Sequence, residues 1–107
     1  MKLHFRSFGS GEPFIILHGV FGSSDNWQTV GKEFSSKYKV YLVDQRNHGS
    51  SPHSDEFDYG VMADDILELM LNENIERANI LGHSMGGKTA MTFAARYPEK
   101  VIKLIVV

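Results

Sequence analysis

The spacing of hydrophobic positions changes several times along the 107 residues, and each change marks a new element. From Leu3 to Phe8 apolar and polar residues alternate, the period of a strand with one face exposed, until Gly9, Ser10, Gly11, Glu12 and Pro13 break the pattern. Phe14, Ile15, Ile16 and Leu17 are an unbroken apolar run instead, as expected of a strand covered on both faces. Trp27, Val30, Gly31 and Phe34 recur at i, i+3, i+4 and i+7, which predicts a helix with one apolar face, capped by Ser24 or Asp25. A third strand follows at residues 40–43, then a polar loop of turn formers at residues 44–52. Met62, Ile66, Leu69 and Met70 give the apolar face of a second helix across about residues 59–74, with Asp64 and Asp65 early enough to suit the positive end of its dipole. Residues 78–81 predict a fourth strand, and Ala90, Phe93, Ala94 and Tyr97 line a third helix that Pro98 stops. Residues 101–107 predict a fifth strand.

After the first strand, the order is therefore β-α-β-α-β-α-β. That alternation calls for a parallel sheet with right-handed crossovers and helices on both faces, a three-layer α/β/α fold. The length suits one domain, and 42% hydrophobic residues supply a packed core. Eleven basic and thirteen acidic residues leave a net charge of −2 without a basic stripe, so nucleic acid is not an expected partner. The absence of cysteine suits a reducing compartment. The first residues, Met1, Lys2, Leu3, His4, Phe5 and Arg6, lack the apolar core of a secretory leader, and no run reaches membrane-spanning length. A cytoplasmic protein without membrane partners is the expectation.

Candidate chemistry centres on Ser84. Gly82, Ser84 and Gly86 spell G-x-S-x-G between a predicted strand and a predicted helix. A serine that attacks a carbonyl must stand clear of the sheet on a sharp, strained turn, and the glycines two residues either side leave room for it. The Met85 amide then lies at a helix N-terminus, where an unpaired donor and the dipole favour an oxyanion. The same stretch also fits G-x-x-x-x-G-K-T across residues 82–89, in which Lys88 would reach phosphates and Thr89 would hold magnesium. The phosphate loop normally follows the first strand of its core, and here it would follow the fourth.

With His18-Gly19, Asp44-Gln45-Arg46-Asn47-His48-Gly49-Ser50-Ser51-Pro52 and Gly82-His83-Ser84-Met85-Gly86-Gly87 in this order, the chain resembles the α/β-hydrolases. Within them it resembles the bacterial YbfF-like esterases, whose strand-to-helix loop carries R-N-H-G. The resemblance covers essentially the whole chain. It implies a serine hydrolase acting on esters or thioesters of small acyl groups, with Ser84 as nucleophile and a second oxyanion donor from the His-Gly loop. That donor falls on the amide of Val20, with Phe21 as second choice. Phe21 and Trp27 are candidates to line an acyl pocket, core packing being the simpler role for Trp27. Two readings of R-N-H-G stay open. Arg46 or His48 grips a substrate carboxylate or phosphate, or Asp44, Arg46 and Asn47 brace the loop's unpaired backbone groups.

A base for Ser84 is not found among the five histidines. His83 should point away from the turn, His18 belongs to the buttressing His-Gly pair, and His4 and His53 lie on exposed segments. None shows metal-ligand spacing, so neither a metal nor another cofactor is expected. In α/β-hydrolases, the acid and the histidine follow the serine along the chain. Residues 1–107 therefore read as the N-terminal portion of a single hydrolase domain, inactive alone, with both partners and the C-terminal strands beyond Val107. The missing portion or a second copy is expected against an edge formed by Lys103, Leu104, Ile105, Val106 and Val107. Acyl transfer, a lyase reaction, a non-catalytic ligand-binding module and, remotely, an NTPase using residues 82–89 are the alternatives.

Overall fold

A computed structural model describes residues 1–107. The eight main elements are β1 (Phe5–Phe8), β2 (Glu12–Leu17), α1 (Gln28–Phe34), β3 (Tyr38–Val43), α2 (Tyr59–Asn72), β4 (Ala78–Gly82), α3 (Met85–Arg96) and β5 (Val101–Val106). They build one five-stranded sheet in the order β1-β3-β2-β4-β5. The β2, β3, β4 and β5 neighbours run parallel, and β1 joins β3 antiparallel, with Phe5 opposite Val43.

That strand order settles where the helices lie. The chain steps from β2 to β3 in one direction and then back across β2 to β4 and on to β5. Right-handed crossovers accordingly put α1 on one face and both α2 and α3 on the other. The side-chain alternation of β2 shows both layers. Phe14 and Ile16 join Val40, Leu42 and Leu81 in a core with Val30 and Phe34 of α1. Ile15 and Leu17 join Tyr41, Val43 and Ile80 in a larger core with Ile66, Leu69 and Met70 of α2 and Ala90 and Phe93 of α3. The continuous apolar run of β2 is thus buried on both sides, as its sequence requires. No helix is long and apolar enough to cross a membrane.

Three local details differ from the sequence reading. A short 3-10 turn over Ser24–Trp27 precedes α1, and its cap is Ser23, whose hydroxyl accepts from Asp25 N while Asn26 Oδ1 accepts from Ser23 N. The Ser-x-x-Asn spacing closes this capping box one residue before the expected cap. In α2, the capping residue is Asp58, which accepts from Val61 N at 2.8 Å. Asp65, about two turns further in, serves a different purpose described below.

Candidate active site

All parallel strands of such a sheet end at the same side, so the loops leaving β2, β3 and β4 must meet there. The register makes them immediate neighbours, because Leu17 of β2 pairs with Val43 on one side and with Gly82 on the other. His18-Gly19, the R-N-H-G loop and Ser84 are therefore brought together by topology.

Ser84 sits between β4 and α3 at φ 54°, ψ −113°, well outside helical and extended values. Such a conformation costs on the order of 1–3 kcal/mol and survives only where the surroundings impose it. Here the turn is pinned from both sides, by His83 N donating to Leu17 O at 3.0 Å and Gly86 N donating to His83 O at 2.9 Å. The glycines are required by space. A Cβ on Gly82 would strike the Gly86 carbonyl, and one on Gly86 would strike the carbonyls of Leu17 and His18. The Ser84 side chain is exposed and hydrogen-bonds to no other residue. Only His83 and Ser84 separate β4 from α3, so no extended loop cradles a phosphate. Thr89 is fully buried and its hydroxyl donates to Met85 O at 3.2 Å. The phosphate-loop reading of residues 82–89 is therefore incorrect: a buried, internally bonded Thr89 cannot hold magnesium.

Ser84 borders two cavities of different character. One, of about 380 Å³, is lined by Val20, Phe57, Asp58, Tyr59, Met62, Met85 and Lys88. The other, of about 330 Å³, is lined by Gly19, Val20, Gly22, Asn26, Trp27 and His83. Trp27 also packs on the α1-side core, while its ring lies 5.8 Å from that of His83. Phe57, Asp58, Tyr59 and Met62 were not singled out for the site by pattern. One signal was available, since the helix after a parallel strand begins at the C-terminal end of the sheet, which puts the first turn of α2 beside the elbow.

The amides of Val20 and Met85 both face no acceptor within the protein, whereas that of Phe21 donates to His48 Nε2 at 3.2 Å. Phe21 N–H is thus already engaged and is not available to an oxyanion. The Phe21 side chain is 95% exposed and lines neither cavity at Ser84, so its expected substrate contact is absent from this geometry.

The R-N-H-G loop is held by its own side chains. Asp44 accepts from Ser24 N at 2.7 Å and Ser50 N at 3.0 Å, and Asn47 Oδ1 accepts from Ser54 N at 2.7 Å. Burial pushes the Asp44 carboxyl up, but the donated hydrogen bonds outweigh burial and hold it below the ordinary 3.8. Arg46 forms a two-pronged pair with Asp65 of α2, Nε to Oδ2 at 2.7 Å and Nη2 to Oδ1 at 2.9 Å, and donates to Glu56 O at 2.7 Å. Those bonds raise its pKa above the ordinary range against the cost of burial. Arg46 is only 7% exposed, so it braces the loop and does not reach a substrate. His18 is fully buried, accepting from Gln45 N at 3.0 Å through Nε2. Burial chiefly lowers its pKa below 6.5, against the hydrogen bond to Gly19 O at 2.7 Å. No histidine hydrogen-bonds to Ser84. His83 instead places Nδ1 3.1 Å from Val107 O. No three His, Asp or Glu side chains gather in an arrangement able to hold a metal ion.

Known proteins are similar to this chain in sequence and fold. The chain is 43% identical over 97 residues to an sn-1-specific diacylglycerol lipase of Xenopus laevis, covering 89% of this chain and 31% of the lipase. It is 33% identical over 112 residues to the esterase YbfF of Escherichia coli, covering 100% of this chain and 44% of that esterase. Among solved structures, a marine microorganism esterase superposes with a TM-score of 0.97 at 57% identity, over 98% of this chain and 41% of that one. The chain thus spans less than half the length of each. The model of the alpha/beta hydrolase fold matches residues 12–107, and with the strand order and the Ser84 turn already in hand, the chain belongs to the α/β hydrolase family.

Proposed function

We propose that Ser84 is the nucleophile of a serine hydrolase that cleaves esters or thioesters of small acyl groups. The observation that carries this reading is the strained Ser84 turn itself: an exposed, internally unpaired hydroxyl beside two cavities and at the N-terminus of α3. Attack by Ser84 Oγ on the acyl carbonyl gives a tetrahedral intermediate whose oxyanion the Val20 and Met85 amides receive. Collapse of that intermediate expels the alcohol or thiol and leaves an acyl-Ser84 ester, which water then hydrolyses. The apolar cavity between Val20, Tyr59, Met62 and Met85 suits the acyl chain, and its volume suits a short one. The base that takes the Ser84 proton, and the acid that orients it, come on this reading from residues after Val107, in keeping with the greater length of the relatives.

In the full-length protein, a fluorophosphonate should label Ser84, and Ser84→Ala should lower turnover of p-nitrophenyl esters by on the order of 10⁴–10⁶-fold. Retention of esterase activity in that variant would remove the proposal. Formation of a new ester from an added alcohol, in place of free acid, would instead identify acyl transfer from the same serine.

A further inference from the structure

Residues 19–22 form a tight turn closed by Gly22 N donating to Gly19 O at 3.1 Å, with Val20 and Phe21 in its centre. Phe21 has φ +58°, whereas Val20 has no positive φ. A positive φ at the third position alone is the signature of a type II turn, a position normally given to Gly or Asn. Phenylalanine there is held against its backbone preference. The type I alternative relieves that cost by turning over the central peptide, whose N–H is that of Phe21. Something must hold this N–H in place, and the structure supplies one partner for it.

That partner is His48. Its Nε2 accepts from Phe21 N at 3.2 Å, so the ring proton sits on Nδ1 and is donated to Arg46 O at 2.9 Å. The ring is further flanked by His18, with centroids 5.2 Å apart, and by Phe57 at 6.1 Å. It is therefore fixed at one nitrogen by its own loop and presents the other to the turn. We infer that His48 is a positioning residue for the oxyanion site: by holding the Phe21 amide, it fixes the turn that carries the neighbouring amide of Val20, a residue that borders both cavities at Ser84. The Val20 amide itself makes no bond within the protein, so its direction is set by the turn to which it belongs. This rests on the proposed serine chemistry and extends it, because it gives the histidine of R-N-H-G a task the loop-bracing residues do not share.

Two substitutions separate the contacts. His48→Gln keeps an acceptor at the reach of Nε2, whereas His48→Asn reaches only as far as Nδ1 and keeps the bond to Arg46 O without the one to Phe21. In the full-length enzyme, His48→Gln should retain kcat within about threefold, and His48→Asn should lower kcat about 10- to 100-fold with KM little changed, as misplacement of a transition-state contact does. Amide hydrogen exchange at Phe21 should quicken in His48→Asn and not in His48→Gln. An unchanged kcat in His48→Asn, equal losses in both variants, or undiminished Phe21 protection in His48→Asn would overturn the inference. Ser84→Ala is measured alongside. Turnover that survives it overturns the serine reading itself, while the exchange experiment still reports whether His48 holds the turn.

Discussion

His18 and His48 each accept a backbone N–H through Nε2 and are thereby fixed as the Nδ1-protonated tautomer, each locking one loop to another. For His18 this has a thermodynamic consequence. Its folded pKa lies below 6.5 because burial disfavours the charged ring, so the unfolded chain binds more protons between the two values. Its contribution to stability is complete above 6.5 and is lost as the pH falls below that value toward the folded one. Asp44, depressed below 3.8, acts with the same sign only at more acid pH. The full-length protein should therefore unfold at lower urea concentration at pH 5 than at pH 7, and His18→Gln, which keeps an acceptor for Gln45 N but cannot be protonated, should reduce that difference. An equal pH dependence in the variant would count against it. At this scale Ser84 was legible because its glycine spacing is local in sequence. The pairing of Phe21 N–H with His48 was not, since it joins two loops through the sheet and leaves no periodic trace.

The loop after β3 and the helix after it are coupled by one buried ion pair. Arg46 and Asp65 have side-chain exposures of 8% and 3%, and both prongs are well formed. Removing one partner leaves a buried charge without compensation, which typically costs about 3–5 kcal/mol. Asp65→Ala should lower unfolding stability by that amount, and the double substitution Arg46→Met with Asp65→Leu should recover most of it. Urea unfolding of the two variants checks this; equal destabilisation by both would show that shape, not charge, holds the contact. Element order and type were readable from period alone, because β2 and α2 each carry a long, consistent apolar pattern. The role of Asp65 was not. Two acids early in a helix look alike in sequence, yet Asp64 is exposed and meets Arg96 at 3.2 Å, while Asp65 turns inward toward a residue on another loop. Only packing distinguishes them.

Across the whole sheet the two edges are unequal. β1 closes one side antiparallel to β3, while β5 pairs only with β4 and forms the other. Ile105 lies beside Leu81 on the face that carries α1, yet α1 packs over β2 and β3, and Ile105 stays 40% exposed. Val106 and Val107 are more exposed still, at 48% and 62%. An apolar edge strand with free backbone groups is a template for pairing with another chain. Residues 1–107 expressed alone should accordingly associate, with a sedimentation profile that shifts with concentration, and Ile105→Lys should return them toward monomer by placing a charge on that edge. They should also be close to inactive, because the loss of general-base transfer removes about 10²–10⁴-fold in rate and no histidine of this chain bonds to Ser84. A folded monomer with Ser84-dependent ester hydrolysis would overturn both expectations together. It would then direct attention to His83, which lines one cavity together with Ser84.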